Sequence, residues 1–398
     1  MSRLSQYFTG VAAKRLSAVE TDPSTSNQHE LNGVAPLRAV LGDARQSPTT
    51  SFIYLGDDET ETLNSIGFTT WYDSRENVPT RSAEYRLYFQ SNEVMEEAKE
   101  GDFVLVGKRT DDTILILVVK QGSTFESQVR WLFGLREEDR RFRAKEIEGD
   151  SNKEIGYAER IVLETLGIEV ETVEENWLEV LLGEFGLVFP STRIFSAFAR
   201  QTMGDASPVD QPDTTLFAWV NHEEMLFRTL EKHIVQRKLE EGFIDVDEFV
   251  AFSLSVHNKR KSRMGYSLEN HLEQVFIENQ IRYSRGKTTE NRSKPDFLFP
   301  SIENYNDPGF PANRLTMLGS KSTCKDRWRQ VLAEAERIQP TKHLFTLEPS
   351  ISTNQTDEMQ ARNLQLVLPE ELHQTYQPEQ QAWLLNLGQF IELARDRQ

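Results

Sequence analysis

Cysteine is almost missing from this chain: Cys324 is the single one in 398 residues. That excludes an internal disulfide framework and a cysteine-rich zinc site. Long apolar runs are missing as well. None approaches the roughly 20 residues of a membrane-spanning helix. The opening Met1-Ser-Arg-Leu-Ser-Gln lacks the apolar segment of a signal peptide. Together these absences predict a cytoplasmic protein. Positive charge is scarce beside negative, with 45 Lys and Arg against 63 Asp and Glu and a formal net charge of −18. This argues against a nonspecific nucleic-acid coat, but leaves room for a specific binder whose basic residues cluster. What is present suits a globular protein, with 38% hydrophobic residues and a mean hydropathy of −0.55. The length suits two domains.

Taken in order, the chain begins with Lys14-Arg15-Leu16-Ser17 and a polar loop from Thr21 to Glu30. Short β-branched or aromatic stretches at 51–55, 67–72, 84–90, 103–107 and 113–120 predict strands of a small β-barrel or folded sheet. Between them Arg75, Arg81 and Arg86 stand among polar and aromatic residues, suited to phosphate and base-edge contact or to plain surface charge. Helices are expected at 124–135 and 155–166. The acidic stretch Glu169 to Glu184 reads as an exposed linker or connecting helix, which puts one domain at 1–170, a linker at 171–185 and a second domain at 186–398. A second polar loop runs from Gln201 to Thr215. Helices follow at 216–242 and 246–257, then the densest basic run, His257-Asn-Lys-Arg-Lys-Ser-Arg263. As a surface turn it is merely solvated; beside a nuclease core, Lys259, Arg260, Lys261 and Arg263 are candidate phosphate contacts. A helix at 266–280, strands at 281–284, 296–299 and 314–321, a helix at 325–338, strands at 342–347 and 363–368 and a helix at 380–394 then predict an α/β layer with a mixed sheet.

The chemistry concentrates between Lys294 and Glu334. Lys294-Pro-Asp-Phe-Leu-Phe-Pro300 puts Asp296 at the start of a short apolar strand, and Lys321 closes another. Each alone is ordinary, a cap and a surface lysine. Together at the ends of neighbouring strands they supply a carboxylate for Mg²⁺ and a cation for the attacking water and the scissile phosphate. A further carboxylate is expected at the edge of an apolar helix face. Wheel arithmetic favours Glu334 on the helix at 325–338 and Glu269, ahead of Glu273, on the helix at 266–280. It points Asp326 away from the core.

Three segments then resemble the catalytic domain of EcoRII-like type II (IIE) restriction endonucleases. They are Arg263-Met-Gly-Tyr-Ser-Leu-Glu-Asn-His-Leu-Glu273, Lys294 to Pro300, and Lys321-Ser-Thr-Cys-Lys-Asp-Arg-Trp-Arg-Gln330. Lys14-Arg-Leu-Ser-Ala18, Gln28-His29 and Tyr72-Asp-Ser-Arg75 resemble that family's effector-DNA-binding pseudobarrel more loosely. The resemblance implies a PD-(D/E)xK restriction-endonuclease core behind a mainly β DNA-binding domain. It implies Mg²⁺-dependent cleavage of double-stranded DNA by a homodimer at a short CCWGG-like (CCNGG-type) site, with a cognate DNA methyltransferase as functional partner. Asp296 and Lys321 match the motif. Gly319 stands where the motif's acidic residue is common, and Glu334 matches the carboxylate that replaces it from the following helix. Metal ligands are then Asp296 and Glu334, with Tyr305 matching an active-site tyrosine. Lys325, Asp326 and Arg327 match the readers of C:G pairs, a fitting chemistry because Arg and Lys donate to guanine and Asp accepts from cytosine. Lys14, Arg15, Gln28, His29, Arg75, Arg81, Glu84 and Arg86 fall on the implied effector-DNA face, and the N-terminal domain is expected to hold the enzyme inactive until a second site binds. The family's arginine-rich stretch is replaced here by Phe217-Ala-Trp-Val-Asn-His-Glu-Glu224. Two competing functions stay open on the residues alone: a non-cleaving DNA-binding regulator with a vestigial core, and a repair nuclease without sequence specificity.

Overall fold

The computed structural model describes residues 3–21, 29–56, 61–77, 80–135, 142–147, 155–170, 175–204, 206–324, 327–339 and 341–398. Gln28, Lys325 and Asp326 lie outside them. The chain forms two compact units. The first comprises Met1–Val170 with Ser350–Gln355, the second Glu171–Pro349 with Thr356–Gln398.

The first unit is built on an eight-stranded sheet of order β2-β5-β4-β3-β7-β6-β1-β8. Its strands are β1 (Phe8–Arg15), β2 (Glu30–Gly33), β3 (Thr49–Leu55), β4 (Leu63–Asp73), β5 (Tyr85–Phe89), β6 (Phe103–Arg109), β7 (Ile114–Val119) and β8 (Arg143–Glu146). The β3–β7 pair is parallel and the other pairs are antiparallel. Every residue of Ile114-Leu-Ile-Leu-Val-Val119 is buried. Such an unbroken apolar run marks a strand covered on both faces. Leu115, Leu117 and Val119 pack with Phe125 and Val129 of α1 (Thr124–Phe133) and Val162 and Leu163 of α2 (Tyr157–Thr165). Ile116 and Val118 pack on the opposite side with Leu37, Trp71 and Leu87. Strands β1, β2 and β8 add to the five that the pattern predicts. Strand β8 reads Arg-Ala-Lys-Glu, mostly exposed, so it carries no apolar period to detect.

The second unit opens with four helices, α3 (Glu175–Phe185), α4 (Thr192–Thr202), α5 (Pro212–Glu241) and α6 (Val246–Glu278). Of the two readings of the acidic stretch, linker or connecting helix, the chain is helical from Glu175, and the expected exposure is corrected: Leu181 is fully buried with Phe195, Ala199, Leu226 and Leu230. The basic run does not turn the chain. It lies inside α6, one helix of 33 residues. Lys and Arg are good helix formers, and no proline interrupts the run.

A five-stranded mixed sheet follows, of order β13-β12-β11-β10-β9. It comprises β9 (Ser284–Arg285), β10 (Phe297–Phe299), β11 (Thr316–Lys321), β12 (Lys342–Thr346) and β13 (Leu364–Val367). Strands β9, β10 and β11 pair antiparallel, and β11, β12 and β13 pair parallel. Between them lie α7 (Ile302–Asn306) and α8 (Trp328–Leu332), and α9 (Leu387–Arg397) follows. The helix expected at 325–338 is therefore short among the described residues. Ala335 adopts φ 48°, a left-handed conformation that no helix continues through.

Phe276 of α6 locks this sheet to its helices. Its ring meets those of Phe297 and Phe299 edge-on at 5.2 Å, and Phe299 meets Phe390 of α9 at 5.5 Å. All four rings are buried. Edge-to-face pairs add about 0.5–1.5 kcal/mol each beyond area burial. We expect Phe276→Ala to cost about 3–5 kcal/mol, read from the urea midpoint at an unchanged m-value.

Candidate active site

Antiparallel pairing of β10 with β11 sets Phe297 opposite Leu318, so Asp296 emerges beside the far end of β11. Its Oδ2 accepts from the Ser320 amide at 2.7 Å and from Lys321 Nζ at 3.0 Å. The two strand-end residues thus meet directly. Both side chains are mostly buried, at 16% and 19% exposure, so the pair is screened less than a surface salt bridge.

Glu334 stands in the turn after α8. Burial pushes its carboxyl up to about 7, and the negative charge of Asp296 adds to the effect while Lys321 and Lys342 oppose it. Among the described residues its buried Oε2 has no hydrogen-bond partner. Glu269 of α6 also feels Asp296 and Lys321. Its carboxyl is raised by burial first and Asp296 second, against the pull of Arg285. Arg285 Nη2 donates to it at 3.0 Å. Glu273, one turn further on, is held by Arg285 at 2.7 Å, Tyr283 at 3.1 Å and Arg193 at 3.2 Å.

Gly319 leaves no place on β11 for a second carboxylate beside Asp296. A Cβ there would lie 2.9 Å and 3.2 Å from the two methyls of Val331 in α8, and 3.6 Å from Leu344. The helix presses onto the strand where a longer side chain would have to stand, so an acidic residue has no room.

Among the described residues no group of three or more His, Cys, Asp or Glu forms a ready-made metal cage. The donor set nevertheless fits a hard divalent cation that keeps most of its ligands as water or substrate oxygens. Asp296 and Glu334 supply two carboxylates, one with an unpartnered buried oxygen whose ionisation a neighbouring cation would favour.

The other expected site residues are placed unevenly. Arg327 is exposed just before α8 and lines an open groove of about 790 Å³ with Lys259, Lys261 and Asn258 of α6. Lys259 and Lys261 face solvent. Arg260 and Arg263 do not serve as free phosphate contacts. Arg260 Nη2 lies 2.7 Å from Glu231, and Arg263 is buried between Glu223, at 3.0 Å, and Glu224, over the Phe227 ring. Three glutamates buried on α5 need these counter-charges, since an unpaired buried charge costs several kcal/mol. The stretch 217–224 therefore ends in buried ion pairs. Tyr305 of α7 is buried. Its hydroxyl donates to Glu290 at 2.6 Å and accepts from the Arg337 amide at 3.2 Å, so its partners belong to the scaffold around the Glu334 turn.

In the first unit, Lys14 is buried against Glu20, over the Phe142 ring. Arg15 donates to Glu126 at 2.7 Å and to the Gly101 carbonyl at 2.8 Å. Arg75 and Arg86 share Glu84, and Arg86 also holds Glu30. Arg81 is exposed, and the His29 ring packs edge-on to Phe89 at 6.1 Å. Sequence reasoning missed Glu30, which closes this chain of charges from the edge strand β2. Alternation along that strand was the available signal, hidden in a stretch of four residues.

The second unit thus presents an Asp–Lys pair on adjacent strands with a carboxylate delivered by the following turn. Residues 227–391 match the family model described as EcoRII C terminal. The type II restriction enzyme EcoRII of Escherichia coli is 41% identical over 226 residues, covering 56% of this chain and 55% of that enzyme. The chain therefore spans about half the length of the curated relative it matches. Among solved structures, metal-depleted Ecl18kI in complex with uncleaved DNA aligns with TM-score 0.45 at 17% identity, over 56% of this chain and 83% of that one. A restriction endonuclease PspGI–substrate DNA complex aligns with TM-score 0.40 at 13% identity, over 56% and 91%. Over residues 227–391 this chain is thus similar to the EcoRII C-terminal family.

Because the Glu334 carboxyl lies above its ordinary 4.5 at about 7, the folded protein retains a proton that the unfolded chain has already lost. The stability this group contributes is fully present below the unfolded value and is lost as pH rises through about 7. In metal-free buffer we expect Glu334→Gln to be more stable than wild type at pH 8 by about 1–3 kcal/mol, with the gap closing by pH 5. Parallel melting curves across that range check it; a gap that stays constant with pH contradicts the assignment.

Proposed function

We propose that this protein is a type II site-specific deoxyribonuclease. It hydrolyses double-stranded DNA with Mg²⁺ at a short CCWGG-like site, acting as a cytoplasmic homodimer whose host DNA is guarded by a cognate methyltransferase. The observation that carries this reading is the Asp296–Lys321 contact with the unpartnered Glu334 oxygen beside it. A vestigial regulator would have no use for this arrangement. No helix among the described residues is long and apolar enough to cross a membrane.

In this reading Asp296 and Glu334 hold the divalent cation. When bound, that ion supplies charge neutralisation at the scissile phosphate and lowers the pKa of a coordinated water. Lys321, fixed by Asp296, stands at the reacting centre, where it orients water and stabilises charge developing on the phosphate. Glu269 is held by Arg285 at the edge of the same pocket and completes its negative field. Arg327 donates to guanine O6 and N7, with Lys325 and Asp326 as its companions in reading C:G pairs. Lys259 and Lys261 neutralise phosphates along the groove they share with Arg327.

The first unit is assigned to effector DNA. Arg75 and Arg86 are held by Glu84 and Glu30, so a polyanion binding there competes with carboxylates for the same guanidinium groups. Effector DNA activates to the extent that it binds the open state better than the closed one.

Supercoiled plasmid with Mg²⁺ should yield discrete fragments whose sequenced ends define one site; a smear would indicate a nonspecific nuclease instead. Asp296→Ala and Lys321→Ala should abolish cleavage and leave cognate binding intact, whereas Arg327→Ala should weaken cognate binding by about 1–3 kcal/mol. Wild-type cleavage by either of the first two, or wild-type affinity in the third, rejects the respective role. For regulation, a chain starting at Glu171 preserves α3, whose Leu181 is buried. It should cleave single-site DNA faster than the full chain, and a short cognate duplex should stimulate only the latter. A folded, slower truncation would mean that the first unit merely tethers DNA.

A further inference from the structure

We propose that Lys342 is a positioning residue for Glu334, gripping the main chain of the turn that carries the metal-binding carboxylate. The proposal rests on the nuclease reading above. It starts from a problem of geometry. Asp296 and Lys321 are set by the register of paired strands, and Glu334 is not. It follows a five-residue helix and precedes Ala335 at φ 48°. A left-handed non-glycine residue costs about 1–3 kcal/mol and persists only where its surroundings impose it. Nor does the carboxyl anchor itself, because its Oε2 is buried without a partner.

The surroundings impose the turn through Lys342. Its Nζ donates to the Leu332 carbonyl at 2.6 Å and also to the Glu334 carbonyl. The last carbonyls of a helix have no partner within it, and this one ammonium satisfies two acceptors of the α8 end. Lys342 opens β12, and the next residue, His343, is paired with Leu318 of β11. The bond therefore ties the Glu334 main chain to the sheet that carries Lys321. Three residues on, Arg337 closes the other side. Its guanidinium donates to the carbonyls of Asn304, at 3.2 Å, Tyr305 and Phe310, and its amide donates to the Tyr305 hydroxyl. Lys342 is the member of this bracket that touches Glu334 itself, and it does so at the main chain. Its role is to place the carboxylate, and it has no contact with the reacting atoms to assign it a chemical one.

A simple capping role would make Lys342 matter for stability alone. The two roles separate in the full-length protein with Lys342→Met, Lys342→Gln and Lys342→Arg. A displacement of about 1 Å in a catalytic group costs on the order of 100-fold in rate. We expect Lys342→Met to slow single-turnover cleavage roughly 10- to 100-fold, and to raise by a similar factor the Mg²⁺ concentration that half-saturates the thermal shift. Cognate-duplex affinity in metal-free buffer should stay unchanged. Lys342→Arg, which keeps the donors, should recover most of both losses. In a Glu334→Gln background the Lys342→Met change should add little to either, because the residue it positions is already disabled. Wild-type rate and Mg²⁺ midpoint in a folded Lys342→Met variant overturn the proposal, as do losses that add in full to those of Glu334→Gln. Should Lys342→Met fail to fold, wild-type values in Lys342→Gln overturn it equally. Undiminished cleavage by Asp296→Ala in the same assay overturns the nuclease reading itself, and the Mg²⁺ thermal shift then still reports whether Lys342 places Glu334.

Discussion

A single contact, Lys321 Nζ to Asp296 Oδ2 at 3.0 Å, sets the terms for the second unit. It exists because β10 and β11 run antiparallel in one register, which delivers an Asp at the start of one strand to a Lys at the end of the other. A slip of one residue would turn the side chains of either strand to the opposite face. The aromatic rings of Phe276, Phe297, Phe299 and Phe390 oppose such a slip by filling the space beneath the strand that carries Asp296. Core packing and site geometry are in this respect one constraint.

The electrostatics around that contact are unbalanced. Asp296, Glu334 and Glu269 all act on or with Lys321, and burial together with the negative charge of Asp296 raises both glutamates. Further from the centre the balance is restored. Arg285 serves Glu269 and Glu273, and Arg263 serves Glu223 and Glu224. The protein neutralises its buried carboxylates where they are structural. Beside Asp296 it leaves a deficit of positive charge, which would suit a divalent cation.

The sequence is legible where chemistry and secondary structure coincide. Asp296 and Lys321 sit at the ends of apolar strands, and both features can be read from composition. Glu334 is a subtler case. Wheel arithmetic puts it on the edge of a helix, and the structure puts it beyond the end of α8, because Ala335 adopts a left-handed conformation that no propensity announces. Charge runs are legible only as charge. Lys259 and Lys261 face solvent, whereas Arg260 and Arg263, interleaved with them, answer glutamates some 30–40 residues upstream. One basic run therefore serves two purposes, and the partition follows from which face of α6 meets α5. In the first unit, β7 declares itself through an unbroken apolar run. The edge strand β8 is hidden because it buries almost nothing.

The length of α6 has a mechanical consequence. At about 1.5 Å of rise per residue, its 33 residues make a rod of about 50 Å. Lys259 and Lys261 project from its middle, and Glu269 stands only two to three turns further along the same axis. The groove lysines and the pocket carboxylate therefore sit on one continuous helix, with no loop between them to take up a displacement. Phe276, further along the same helix, is seated among the rings under the sheet.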